Sequence, residues 1–266
     1  MSMSKSQQGM KEIMVAGGED LGSPQCIAKG SCSQVGQDKL ILSILGYPYY
    51  GFFVDLAAND AVKISNSFLL ERRYNWSGVC IEVNPKYFWR LTSRRCKLVY
   101  AAIGRSDAGK AQLVLRGGNG GIVGNGFDND AQQNMKASKV TLRTVSLCRV
   151  LEMVNAPRVV HYMSLDVEGA EEHIMKAFCF ERFTFLTMTV ERPTLPLHLK
   201  LREMYYSLLN SLGGFGDCLY ISSQLSNYTS IWSQFHDLSR LHSTCKVKKW
   251  RRTSGFGRLC QYLFKD

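Results

Sequence analysis

The chain has 266 residues, 45% of them hydrophobic, with 33 Lys and Arg against 22 Asp and Glu. That is apolar and long enough for one sizeable core, and it excludes a disordered or fibrous chain. A formal charge of +11 points to an acidic partner or a solvated basic face, and no apolar run approaches the roughly 20 residues of a membrane-spanning helix.

Residues 1–30 are rich in Gly, Ser and Gln and read as a poorly ordered arm, with no apolar core of signal-peptide length. The segment SQVGQDKLILSIL (33–45) starts polar, turns apolar at helical spacing and predicts a helix. GFFVDLA (51–57) predicts a strand, 65–74 a helix, and GVCIEV (78–83) a second strand. Pro85 suits a first helical turn, with helix to about residue 92. KLVYAAI (97–103) predicts the third strand. RGGNGGIVGNGFDND (116–130) is dense in Gly and Asn and predicts a loop or lid. A short strand over 140–145 and a helix over 146–154 precede the fourth main strand, VVHYMSLDV (159–167). A helix over 170–177, a strand over 183–191, a helix over 197–212 closed by Gly213 and Gly214, and a strand over 216–222 complete the pattern.

Strands of this length alternating with helices predict an α/β fold, a Rossmann-like, doubly wound, mostly parallel sheet with helices on both faces. Residues 31–240 read as one domain and 241–266 as a basic segment packed on it or extending from it. There Lys246, Lys248, Lys249, Arg251 and Arg252 flank Trp250, a pattern open to nucleic acid or anionic lipid and equally to plain solvation.

Nine cysteines occur, an odd count with no CxxC pair, several of them inside apolar segments. They read as buried thiols of a reducing compartment, which makes the chain cytoplasmic. The alternative is a secretory lumen if an anchor precedes this sequence. Two sequons, Asn75-Trp-Ser and Asn227-Tyr-Thr, matter only in that alternative.

Ligands of open α/β sheets bind at the carboxyl ends of the strands. Four acids fall at predicted strand ends: Asp55, Glu82, Asp166 and Glu191. An acid after the second strand suits a ribose diol, as carried by NAD and by S-adenosylmethionine. The turn after Asp55 separates the two. A dinucleotide needs glycines that let backbone approach a pyrophosphate, and 55–65 contains none. Asp55 and Asp60 repel a pyrophosphate but suit an ammonium and a sulfonium.

The stretches SQVGQDKLI, GFFVDLAAND, GVCIEVNP, YMSLDVEGAEE and TVERP resemble the FkbM-type methyltransferases over roughly residues 33–222. The resemblance implies S-adenosylmethionine as cofactor and methyl transfer, usually to a hydroxyl of a sugar or other small natural-product-like acceptor. It implies that Asp55, Ala57 and Asn59 line the methionine end. Glu82 takes the ribose, with Val83 and Asn84 beside the adenine and Ala101 and Ala102 packed near it. Asp166, Glu168 and Gly169 face the transferring methyl and the acceptor. Independently of the resemblance, Glu191 at the end of the fifth strand either binds substrate hydroxyls or forms an ion pair with a neighbouring Arg. Ala57 and Ala61 stand where the family's turn carries glycine. If the backbone there has positive φ, each alanine costs about 1 kcal/mol or more.

Methyl transfer needs an aligned acceptor oxygen and a group to take its proton. Asp166 is the first choice of base. Glu168, two residues on, is either a partner on the same strand face or a cap of the next helix. His161 lies five residues before Asp166, at the wrong end of the strand, and reads as structural. No metal is required. Two further readings stand beside the enzyme: a non-catalytic Rossmann-like module with a degenerate turn, and a nicotinamide oxidoreductase.

Overall fold

The computed structural model describes residues 11–15, 24–124, 127–129 and 138–241. The basic run after residue 245, together with Cys245 and Cys260, lies outside the described residues, as do parts of the arm and of the 116–130 segment.

In chain order the first half runs β1 (Lys11–Val15), α1 (Gln25–Ala28), α2 (Gln37–Ile44), β2 (Phe52–Leu56), α3 (Phe68–Tyr74), β3 (Ser77–Glu82), α4 (Pro85–Leu91), β4 (Lys97–Tyr100) and β5 (Ala102–Gly104). The second half runs β6 (Lys110–Val114), β7 (Gly121–Ile122), β8 (Lys139–Ser146), α5 (Leu147–Met153), β9 (Val159–Leu165), α6 (Glu171–Met175), β10 (Thr184–Glu191), α7 (Leu195–Glu203), β11 (Tyr206–Leu212), β12 (Asp217–Ser222) and α8 (Tyr228–Leu241).

The main sheet has the order β1-β4-β3-β2-β9-β10-β12-β11. Strands β4, β3, β2, β9 and β10 are parallel, which is the Rossmann-like order; β12 enters antiparallel beside β10, and β1 antiparallel beside β4. Strands buried on both faces read as unbroken apolar runs. Phe52 to Leu56 are all buried, and alternate side chains pack on opposite faces. Val54 and Leu56 join α5, α6 and α7 on one face, while Phe53 joins α2, α3, α4 and α8 on the other. A second, smaller sheet, β5-β8-β6-β7, stands beside the carboxyl ends of β3 and β4.

Helix starts follow the local chemistry. The Asn84 side chain accepts from the Lys86 amide at 3.1 Å, with Pro85 in the first turn of α4. Ser146 caps α5 and Thr194 caps α7 in the same way.

Four expectations need correction. The helix predicted over 197–212 ends at Glu203, because Tyr205 turns left-handed (φ 63°) and 206–212 pairs with β12 instead. Its Leu208-Leu209 doublet imitates helical spacing, and the glycines after it close a hairpin between β11 and β12, not a helix. The strand predicted over 97–103 breaks at Ala101, and Ala102–Gly104 joins the smaller sheet as β5. The arm is not featureless: 11–15 adds an edge strand to β4.

The buried-thiol reading of the cysteines also fails. Cys26 pairs with Cys32, Cys80 with Cys96, and Cys148 with Cys179; Cys218, buried in β12, stays a thiol and points its sulfur at the Gly216 carbonyl. The pairs are made by tertiary packing. Cys80 in β3 meets Cys96 just before the neighbouring strand, β4, and no spacing rule in the sequence encodes that.

Candidate active site

The carboxyl end of β2 delivers Asp55 into a buried position. The Ser67 hydroxyl donates to its Oδ2, and Ser67 in turn accepts from Arg94 Nη2 at 3.1 Å. Burial pushes the Asp55 carboxyl above its usual range, opposed by the Ser67 bond and the Arg94 charge. Arg94 is fully buried and ties the whole 61–71 segment together. It reaches Glu71 at 3.1 Å, the Ala61 carbonyl at 3.0 Å and Ser65 at 3.2 Å.

The turn after β2 is left-handed at Ala57 (φ 61°) and Asn59 (φ 54°). Its first three amides are committed within the protein. Ala57 and Ala58 both donate to the Ile81 carbonyl, at 2.9 and 3.1 Å, and Asn59 donates to Glu82 Oε2 at 2.8 Å. Beyond them, Asp60 Oδ1 takes the Val62 and Lys63 amides at 3.0 and 2.9 Å, and its Oδ2 pairs with Arg90 at 2.6 Å. The amides of Ala57, Ala58 and Asn59 are therefore closed to a pyrophosphate. The Ala57 methyl is exposed on the cavity wall, whereas Ala61 is buried and its φ is not positive.

At the end of β3, Glu82 is buried and binds three backbone amides. Its Oε1 takes Val83 and Asn84 at 2.8 and 2.7 Å, and its Oε2 takes Asn59. Burial raises its carboxyl, and these three bonds oppose the rise. Roughly one of the carboxylate's four acceptor positions stays open toward the cavity.

The cavity, about 1030 Å³ including its open mouth, lies across the ends of β2, β3 and β9. Asp55, Ala57, Asn59, Glu82, Val83 and Asn84 line it, and so do Ala101, Ala102, Asp166 and Glu168. Gly169 and Glu191 do not; they stand behind Asp166 and Glu168.

Past β9 the chain turns sharply. Glu168 is left-handed (φ 56°), and Gly169 follows at φ 92° with the Asp128 amide 2.7 Å from where a Cβ would sit. Asp166 and Glu168 are thus beyond the strand and not on one strand face. Glu168 does not cap the next helix: α6 begins at Glu171, preceded by Ala170 with no side-chain cap, and Glu171 accepts from the Val167 and Gly169 amides at 2.9 and 3.3 Å. Glu168 instead pairs with Arg192 Nη2 at 3.0 Å. The same nitrogen lies 2.7 Å from Glu191 and also pairs with Asp128.

These acids crowd one another. Burial, then the charge and hydrogen bond of Asp166, hold the Glu191 carboxyl far above its usual range. Burial pushes Glu171 up to about 8, and burial with the Asp166 charge lifts Asp217 to about 6. Glu168 is raised by burial and by Asp166. Arg192 is raised as well: burial alone would lower it, but the charges of Glu191 and Asp128 outweigh burial and leave it firmly charged. Two trios, Asp166 with Glu171 and Glu191, and Asp128 with Glu168 and Glu191, bring oxygens within 4.8 Å, close enough for a divalent cation. Glu171 is already bound to two amides, and Arg192 already sits among the second trio.

Sequence reasoning singled out the Gly/Asn-rich segment as a loop or lid but missed the rest of this cavity wall. Leu113, Leu115, Gly117, Gly118 and Ile122 line it from the smaller sheet and the Gly/Asn-rich segment, and Tyr87 from α4. It also missed Asn66 and Ser164 at the floor, where Asn66 Nδ2 donates to Ser164 Oγ at 3.0 Å. The SNS triplet after the turn was the available signal. His161, as expected, serves structure: it accepts the Phe52 amide at 3.2 Å, packs on Trp76 and is lowered by burial.

The fold and site together give a Rossmann-like sheet with an acid-lined crevice at its strand ends. The methyltransferase FkbM domain matches residues 55–210, and the chain belongs to the FkbM methyltransferase family. Among solved structures it is similar to a precorrin-6y C5,15-methyltransferase from Geobacter metallireducens GS-15, at 14% identity and a TM-score of 0.36, covering 69% of this chain and 85% of that one. No curated protein matches.

Proposed function

We propose that this protein transfers a methyl group from S-adenosylmethionine to a hydroxyl oxygen of a sugar or other small acceptor. The observation that carries the cofactor reading is the saturated turn: every amide from Ala57 to Asn59 is bonded internally, so a pyrophosphate finds no donors. A zwitterionic, sulfonium-bearing nucleoside needs none. Glu82's open lone pair takes a ribose hydroxyl, with Val83, Asn84, Ala101 and Ala102 framing the base. Asp55, Asn59, Asn66 and Ser164 form the floor at the methionine end.

When bound, S-adenosylmethionine supplies a methyl group already activated by its sulfonium. The chain's own work is to orient the acceptor and move one proton. Asp166 reaches the cavity from the end of β9 and takes the hydroxyl proton. Glu191, its carboxyl raised by burial and by Asp166, hydrogen-bonds Asp166 and fixes its orientation. Arg192 gathers Glu168, Glu191 and Asp128, balancing the acids so that they stand together at one edge. The Gly/Asn-rich segment covers the acceptor side, where Gly118 already lies close to the Asn59 side chain.

The test is transfer of labelled methyl from S-adenosylmethionine to a panel of hydroxylated acceptors by wild type and Asp166→Asn. The variant should lose about 10²–10⁴ in rate while its cofactor affinity stays within a few-fold. A folded variant with near-normal turnover would remove Asp166 from the role of base. A second reading, a binding module without turnover, rests on the left-handed Ala57. It requires a wild-type protein that binds no S-adenosylmethionine, with binding restored by Ala57→Gly.

A further inference from the structure

Six of the seven cysteines among the described residues are joined in pairs, at separations of 6, 16 and 31 residues. They staple three distinct places. One closes the turn between α1 and α2, one ties β3 to the start of β4, and one joins α5 to the segment after α6. Disulfides of this kind persist where the compartment is oxidising.

Both sequons are presented on the surface of this disulfide-bonded fold. Asn75 and Asn227 are exposed, and so are the hydroxyl-bearing residues two places on, Ser77 and Thr229. Asn75 is the left-handed residue (φ 54°) that ends α3, and its Oδ1 accepts from Arg95 Nη1 at 3.0 Å. Asn227 leads into α8, and its Nδ2 donates one hydrogen to the Ile44 carbonyl at 3.1 Å.

Their position is the decisive geometry. Ser77 begins β3 and Glu82 ends it at the cavity, so the strand puts roughly 17 Å between them, and Asn75 lies before Ser77, on the amino-end side of the parallel strands. β12 runs antiparallel, with Asp217 opposite Glu191 at the cavity end and Ile221 opposite Thr187 at the other. Asn227 follows from that far end and touches the end of α2. Both asparagines therefore occupy the closed end of the fold, and a bulky group on either leaves the cavity mouth clear.

We propose that this chain folds in an oxidising, glycosylating lumen and that Asn75 and Asn227 are its N-glycan acceptors. In each pairing two thiols give two protons and two electrons to the compartment's disulfide relay. At each asparagine the amide nitrogen displaces the pyrophosphate of a lipid-linked oligosaccharide. An N–C bond forms, the sugar's C–O bond to pyrophosphate breaks, and the nitrogen loses one of its two protons. The proton that stays on Asn227 Nδ2 is enough to keep the bond to Ile44.

The test uses the full chain isolated from its native cells. Thiols are blocked before reduction, and the protein is digested with peptide N-glycosidase in heavy-oxygen water, then mapped by mass spectrometry. The expected result is three oxidised pairs and a heavy-oxygen aspartate at both positions. Thr229→Ala and Ser77→Ala, which destroy the sequons but keep the asparagines and their bonds, should each remove one glycan. Label at only one asparagine restricts the site to that residue. Unlabelled asparagines overturn the glycan sites, and six blockable thiols at the paired positions overturn the compartment.

Discussion

The two alanines of the cofactor turn should respond to glycine in opposite directions. At Ala57 the backbone is left-handed (φ 61°) and the methyl is exposed. An L-residue pays roughly 1–2 kcal/mol to sit there. Glycine removes that strain but loses about 0.4–1 kcal/mol to the greater freedom of the unfolded chain. Ala57→Gly should therefore stabilise by about 0.5–1 kcal/mol. Ala61 is only 3% exposed and not left-handed, and its carbonyl anchors Arg94. Glycine there forfeits about 0.8 kcal/mol of methyl burial and the same chain entropy, so Ala61→Gly should destabilise by about 1–2 kcal/mol. At about 2–4 °C per kcal/mol for a domain of this size, thermal unfolding should separate the two variants by roughly 3 °C or more, with wild type between them. Shifts of the same sign would refute the assignment of strain to Ala57 alone.

Glu82→Gln should lower both stability and cofactor affinity, because its carboxylate holds three backbone amides as well as facing the cavity. Losing charge-assisted bonds of about 1.5–3 kcal/mol each predicts at least a tenfold weaker S-adenosylhomocysteine and an earlier denaturation midpoint; an unchanged variant in both assays would remove Glu82 from the turn and the ribose alike. Glu171 predicts a pH dependence. Its carboxyl titrates at about 8 in the folded protein against 4.5 as the ordinary value. Between those values the folded state holds the extra proton, so stability falls as pH rises through that window. Denaturation midpoints measured from pH 5 to about 9 should decline, and Glu171→Gln, neutral throughout, should flatten the decline; an identical slope in the variant would show that other groups govern it.

The parallel sheet was legible because strands buried on both faces leave continuous apolar runs, in which Asp55 and Glu82 stand out as the last residues before a turn. The turn's chemistry was only half legible. Missing glycines argued against a pyrophosphate, but a sequence does not disclose that Ala57 is left-handed and Ala61 is not. The smaller sheet was hidden, since β6 and β7 are five and two residues long, and their short pairing is extended only when β8, some 25 residues on from β6, joins β6. The hairpin of β11 and β12 was misread because tertiary pairing overrode an apolar spacing that suits a helix. The disulfides were invisible for a related reason: Cys80 and Cys148 sit in apolar segments as any core cysteine does, and only the fold brings Cys96 and Cys179 to them. The crowding around Asp166 likewise needs Arg192, Asp128 and Asp217 to be brought together from separate segments.

Titration calorimetry of the purified chain with S-adenosylmethionine, S-adenosylhomocysteine and NAD tests the central claim most directly. The account predicts saturable, one-to-one binding of the two adenosyl amino acids and none of NAD, because the turn from Ala57 to Asn59 keeps its amides for Ile81 and Glu82. Binding of NAD with no heat from either adenosyl compound would contradict it.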